Sequence, residues 1–216
     1  MDFLAIERDE IREILSKAVK VKKSGALWMP LLTRDQMFDI LTISGDGRRV
    51  CERILSFCEP VSHWPEDSSC FSEMRIIKGV LSFEPAVYIP EPAYRQFIFL
   101  NEDLKKEMRH GLEITSGYQA IGFRLIVFLA YFYDEEWDFQ ATIKKIVLPG
   151  KSQHADFKKP ALDFRVEGGN GICFADSDQF EWLRENAERY GFAIPYDYNN
   201  KEGISFSPWH WRYVGN

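Results

Sequence analysis

Three residues in the last third of the chain have the types and the order that metal chemistry needs: His154, Asp163 and His210. His154 closes Ser152-Gln153-His154, just after a Pro149-Gly150 turn. Asp163 follows on a stretch of strand character, and His210 lies between Trp209 and Trp211 near the C-terminus. A catalytic zinc takes three nitrogen or oxygen ligands from the protein and keeps a fourth position open for water. Two imidazoles and one carboxylate meet that need. The residue types alone leave a plainer alternative standing, a satisfied core histidine and a surface one. His63 and His110 have no partners of the right type nearby and read as exposed or structural.

The surroundings weigh on the choice. Ser152-x-His154, Ala161-x-Asp163, Trp182-Leu183, Tyr190-Gly191-Phe192 and Pro208-Trp209-His210-Trp211-Arg212-Tyr213-Val214-Gly215 occur in sequence, preceded by Ser116-Gly117-Tyr118-Gln119-Ala120. This series resembles the zinc D-alanyl-D-alanine carboxypeptidases, the vancomycin-resistance type and its relatives. Phage L-alanyl-D-glutamate endolysins and the hedgehog signalling domain share that metal site. The family pattern is Ser-Gly-Tyr-Arg-Ser, then Ser-x-His, Gly-x-Ala-x-Asp and Glu-x-Trp-His, and the resemblance covers residues 88–216. It implies zinc as cofactor, held by His154, Asp163 and His210, and a substrate or ligand that is a cell-wall stem peptide or a D-Ala-D-Ala-type peptide. It also implies Ser116, Tyr118, Ser152 and Trp209 as substrate-facing positions, although the Trp209/Trp211 pair in the family mostly packs around the metal ligand. The fold it implies is a small α+β core whose central antiparallel sheet, flanked by helices, presents the ligands.

Three departures from the pattern bear on chemistry. Ser207 stands where the family has a glutamate acting as general base. A hydroxyl can hydrogen-bond a water but does not hold a proton reversibly near neutral pH, and a positioned base is worth about 10²–10⁴ in rate. Gln119 replaces an arginine that assists substrate or transition-state binding, losing a cationic fork that grips carboxylates. The segment between His154 and Asp163, ADFKKPAL, is longer than usual and lacks the glycine. Two outcomes are therefore expected: hydrolysis with a relocated base, Asp156 or Glu202 being nearest the ligands in sequence, or a pseudo-peptidase that keeps zinc and binds a peptide or protein partner.

The elements that must position these residues follow from periodicity. Leu4, Ile11, Ile14, Leu15, Ala18 and Val19 recur at helical spacing over 3–22, with Lys20-Val21-Lys22-Lys23 suited to a helix C-terminus. Thr33-Arg34-Asp35-Gln36 is a capping-box pattern opening a second helix, and a third is predicted over Arg48–Phe57. Residues 59–75 are rich in turn formers and make the best linker. The chain is accordingly divided at 75/76, into a helical N-terminal region and an α+β zinc domain. Beyond it, Gly79–Ile89 is apolar and β-prone. Helices are expected over 91–109, 120–133 and from 176 or 177 to 190, with Gly191 as a left-handed stop. Strands are expected at 112–115, 146–148, 161–166, 171–175 and 203–206. Helices and strands are partly segregated, without βαβ alternation, which predicts α+β architecture.

Bulk properties narrow the remaining classes. The 216 residues carry a formal charge of −6, which argues against a nucleic-acid partner. No apolar run nears the roughly 20 residues that span a bilayer. The N-terminal residues lack the basic, apolar and small-residue segments of a secretory signal, so the expected location is cytoplasmic, or outside by a route that leaves no such mark. Cys51, Cys58, Cys70 and Cys173 fit no zinc-finger spacing and read as reduced thiols. Residues 1–75 could cap a cleft or dock a protein partner.

Overall fold

The computed structural model describes residues 5–23, 29–56, 74–77, 86–169 and 173–215. The N-terminal periodicity produces helix α1 (Ala5–Lys23), which turns Ile11, Ile14 and Ala18 inward and ends on Lys20, Lys22 and Lys23. Helix α2 (Arg34–Ile40) carries the full capping box. Thr33 Oγ1 accepts from the Gln36 N–H, and the Gln36 side-chain oxygen accepts from the Thr33 N–H. Helix α3 (Gly45–Leu55) begins at Gly45 rather than Arg48, with Ser44 as its N-cap residue. The expected linker and the start of the apolar stretch after it fall outside the described residues, except where β1 (Met74–Ile77) pairs antiparallel with β2 (Val87–Pro90).

Packing divides the chain into two compact units. One gathers α1, α2 and α3 with α5 (Ile121–Asp134) and α6 (Phe139–Lys145). Its core joins Ile11, Met37 and Ile54 to Leu125, Phe128 and Phe132. A boundary at 75/76 does not describe this grouping. Helix α5 is apolar on most sides, so it is covered by other helices, and here those come from the N-terminal region.

The other unit holds both sheets with α4 (Glu91–Glu107) and α7 (Asp178–Asn186). Its larger sheet has strands β3 (Leu112–Ser116), β4 (Ala161–Val166), β5 (Phe192–Ala193) and β6 (His210–Tyr213), ordered β3-β4-β6-β5 and antiparallel throughout. Leu112, Ile114, Leu162, Phe164, Phe192 and Trp211 turn one face to a core shared with Phe97 and Leu100 of α4 and Phe180 and Leu183 of α7. The two-residue period of a strand then assigns Glu113, Asp163, Arg165, His210 and Arg212 to the opposite face. This is the expected α+β arrangement around a small antiparallel sheet.

Three expected strands take other forms. Residues 146–148 follow α6, which Asp138 caps by accepting from the Gln140 and Ala141 N–H groups, and Pro149 then opens a 3-10 turn. In 171–175 the described part enters the 3-10 turn Phe174–Asp176, ahead of the Ser177 cap of α7. Residues 203–206 lie in a loop closed by Asn200, whose side chain donates to the Asp197 and Ile204 carbonyls and accepts from the Ile204 N–H. That amide satisfies backbone groups that a strand partner would otherwise have taken. Gly191, at φ 75°, ends the helical turn after α7 as expected. Cys51 and Cys173 are free thiols. Among the described residues, no helix is long and apolar enough to cross a membrane.

Candidate metal centre

Asp163 and His210 are neighbours because of strand register. In the β4–β6 ladder Asp163 faces His210 and Leu162 faces Trp211. The pleat that buries Leu162 and Trp211 therefore turns both candidate ligands to the other side. Asp163 Oδ1 and His210 Nδ1 lie 2.9 Å apart. The start of β6 is fixed by a turn in which the His210 N–H donates to the Ser207 carbonyl at 3.1 Å. Pro208 occupies the second turn position, where its fixed φ suits type I and II geometry. The Trp211 indole N–H donates to the Pro208 carbonyl at 2.9 Å and ties that turn to the core. Across β4, the Thr115 hydroxyl donates to the Asp163 carbonyl at 3.2 Å, beside a register shift that brings Ser116 opposite Asp163. Tyr196 stacks on the His210 ring, with centroids 4.9 Å apart and planes 18° from parallel. Its carbonyl accepts from the Ser207 N–H at 3.0 Å.

His154 arrives without a strand. It sits in the 3-10 turn Gln153–Ala155, and its carbonyl accepts from the Gln119 N–H at 2.9 Å. Ser152 is buried beside it, and its carbonyl accepts from the Ala155 N–H. His154, Asp163 and His210 each offer one ligand atom, and these atoms lie within 4.8 Å of one another. Both imidazoles are buried, at 5% and 6% exposure. Among the described residues no other three His, Cys, Asp or Glu side chains meet in this way. Two nitrogens and one oxygen suit zinc. A tetrahedral zinc takes such ligands at bonds of about 2.0–2.2 Å.

The other expected site residues make the following contacts. The Ser207 hydroxyl donates to the Ser205 carbonyl at 3.0 Å. Asp156 accepts hydrogen bonds at both carboxylate oxygens. Its Oδ1 accepts from the Lys158 and Lys159 N–H groups, and its Oδ2 accepts from Arg212 Nη2 at 3.0 Å. It thus clasps the enlarged 156–159 loop as a side-chain-closed turn. Glu202 is exposed. Tyr118 is buried edge-on to Phe157, 5.3 Å between centroids, and its N–H donates to the Tyr88 carbonyl. Gly117 is needed there, since a Cβ would stand 2.4 Å from that carbonyl oxygen. Trp211 is core, whereas Trp209 is 46% exposed. Gln119 Oε1 accepts from Arg124 Nη1 at 2.8 Å.

Sequence reasoning passed over Tyr196 and Arg124. Nothing local marks Tyr196. Arg124 had a signal, as the only charged residue of α5 before Asp134.

Residues 88–216 match the family described as D-alanyl-D-alanine carboxypeptidase (VanY). A D-alanyl-D-alanine carboxypeptidase of Enterococcus faecium is 49% identical over 144 residues, which are 65% of this chain and 42% of that relative. The chain spans 42% or less of each curated relative described. Among solved structures, the LD-carboxypeptidase LdcB, studied for peptidoglycan recognition, is similar with a TM-score of 0.57 and 24% identity over 72% of both chains. A mutant of the vancomycin-resistance D,D-pentapeptidase VanY from the VanB-type cassette, in complex with Zn(II), has a TM-score of 0.52 and 21% identity, covering 65% of this chain and 79% of that one. With more than half of its length matched to the family, this chain belongs to the VanY-type D-alanyl-D-alanine carboxypeptidases.

Proposed function

We propose that the chain is a zinc-dependent peptidase acting on cell-wall stem peptides that end in D-Ala-D-Ala, with zinc on His154, Asp163 and His210. The observation that carries this reading is the convergence of those three side chains in a chain of this family. A bound zinc supplies a Lewis acid that brings the pKa of its water to about 7 and polarises the scissile carbonyl. The chain's own residues hold that site in shape. The β4–β6 register aims Asp163 and His210 together, the Tyr196 ring limits the tilt of His210, and Gln119 anchors the backbone of His154.

A second reading, a zinc-holding module that binds such peptides without cleaving them, is favoured by one observation. Ser207 stands in the turn before His210, and Asp156, the nearer alternative in sequence, has both carboxylate oxygens engaged by donors. Zinc content of the purified chain, measured with D-alanine release from a D-Ala-D-Ala-terminated peptide, tests both. One zinc per chain with turnover supports the peptidase. Zinc and peptide binding without turnover supports the module. A chain with no affinity for zinc sinks the two together.

A further inference from the structure

Asp156 and Arg212 occupy matching places in the chain: the first stands two residues after His154 and the second two residues after His210. Asp156 Oδ2 accepts from Arg212 Nη2 at 3.0 Å, and both residues belong to the unit that holds the sheets. Among the described residues Arg212 pairs with no other carboxylate. Its ladder partners are Ala161 on β4 and Ala193 on β5, whose small side chains leave the guanidinium a clear path over the sheet. The Lys158 and Lys159 N–H groups on Oδ1 set the carboxylate in its turn, with Oδ2 facing the arginine.

The loop closed by these contacts is the one that departs from the family pattern. Eight residues, 155–162, separate His154 from Asp163. The far end of the loop is held to β6 by main chain, through the Tyr213 N–H on the Pro160 carbonyl at 3.3 Å and the pairing of Ala161 with Arg212. Its near end is held to β6 by the Asp156 side chain. A longer segment between two ligands has more conformations to lose when both close on one ion. Fixing that segment beforehand removes the loss from the binding step.

As an ion pair alone the contact is worth little. Its side chains are 22% and 38% exposed, and pairs open to water contribute weakly to stability. Its weight lies in what it connects. We propose that Asp156 and Arg212 are a positioning pair for the metal centre: they hold the chain just after His154 to strand β6 ahead of metal binding, and so raise zinc affinity. The proposal rests on the reading above that zinc binds at His154, Asp163 and His210.

The test is metal affinity rather than turnover. The full chain is titrated with zinc in competition with a chromophoric chelator. Cobalt(II) is then substituted for zinc, since its visible absorption is strong in four-coordinate sites and weak in six-coordinate ones. Asp156→Asn keeps an oxygen for the Lys158 and Lys159 N–H groups but loses the charge that Arg212 meets. Arg212→Gln removes the cation. Residues supporting a ligand set are worth about 10–100-fold in metal affinity, and this pair acts through two residues of backbone, so each change should weaken zinc about tenfold. The double variant should also lose about tenfold rather than about a hundredfold, because both changes cut one tie. Arg212→Lys should stay within about threefold of the native chain, since its ammonium has a single contact to replace. Cobalt absorption should weaken in Asp156→Asn and Arg212→Gln and persist in Arg212→Lys. Melting temperatures measured with chelator should stay near the native value, and the two Arg212 variants serve if Asp156→Asn does not fold. Native zinc affinity in Arg212→Gln, losses that multiply in the double variant, or equal losses in Arg212→Gln and Arg212→Lys overturn the proposal. A native chain that takes no zinc sinks the metal reading and this proposal with it. One that takes zinc no more tightly than its variants sinks this proposal alone.

Discussion

Ser207→Glu places a carboxylate where the chain has a hydroxyl. The site of the change is well defined. The Ser207 carbonyl accepts from the His210 N–H and its N–H donates to the Tyr196 carbonyl, so its Cα is fixed relative to the His210 ligand. Its hydroxyl makes a bond to the Ser205 carbonyl at the surface, and losing that bond costs little. A positioned general base contributes about 10²–10⁴, or about 2.7–5.5 kcal/mol at 1.36 kcal/mol per decade. Ordering the longer side chain removes about 1.5–2 kcal/mol of that. The net expectation is a gain in kcat of roughly fivefold to several hundredfold. D-Alanine release from a D-Ala-D-Ala-terminated peptide, followed with saturating zinc, measures it. Zinc stoichiometry and the melting temperature are checked on the same preparations. A variant that binds one zinc, melts as the native chain does and shows no gain would refute the assignment of position 207 to the base. So would native turnover that the substitution lowers.

Gly122→Ala should destabilise the helical unit although alanine is the better helix former. The added Cβ would stand 2.3 Å from the Thr33 carbonyl oxygen and 2.7 Å from that of Leu32, which accepts the Gly122 N–H. Overpacking of about 1–3 kcal/mol with a weakened hydrogen bond outweighs a propensity gain of about 1 kcal/mol, so a thermal melt should fall by several degrees. An unchanged or higher midpoint would count against the close approach. Burial pushes the Cys51 thiol up to about 12 from an ordinary 9.0, with the adjacent Glu52 charge adding to it. The folded state thus favours the protonated thiol, and the resulting stability is whole below pH 9 and fades as pH rises from 9 towards 12. Stability measured by denaturant titration should fall by up to about 1.4 kcal/mol per pH unit more steeply in that window for the native chain than for Cys51→Ala. Parallel slopes would contradict it.

The candidate ligand set could be named from sequence because its residue types are few and its neighbours carry a family pattern. His154, Asp163 and His210 were named from sequence, and the structure brings their ligand atoms within 4.8 Å. Strand β4 was legible too, as was the capped start of α2, because Thr33 and Gln36 act locally. The expected strand at 203–206 failed for a non-local reason within its loop: the alternation of Ile204, Ser205 and Phe206 reads as a strand until Asn200 takes its backbone groups. The 146–148 strand failed because Ile146 caps α6, its N–H donating to the Thr142 carbonyl, and Pro149 opens a 3-10 turn directly after. The grouping of α5 with the N-terminal helices needed pairwise packing, which no window along the chain contains. The Gln119–Arg124 contact joins residues five apart across a helix start, outside the three- and four-residue spacings by which helical pairs are recognised.

The pairing of Asp163 with His210 has a bearing on how the sheet is assembled. A strand displaced by one residue exchanges its faces. If β6 slipped by one position against β4, Trp211 would emerge beside Asp163, and His210 would be driven towards Phe164 and Phe180. The misaligned chain would offer zinc no more than two of its three ligands. Metal capture by the proposed site would therefore proofread the ladder, since its binding energy would go only to chains whose β4–β6 pair has annealed in the native alignment. Refolding with zinc should accordingly yield a more uniform product than refolding with a chelator, before any question of catalysis arises.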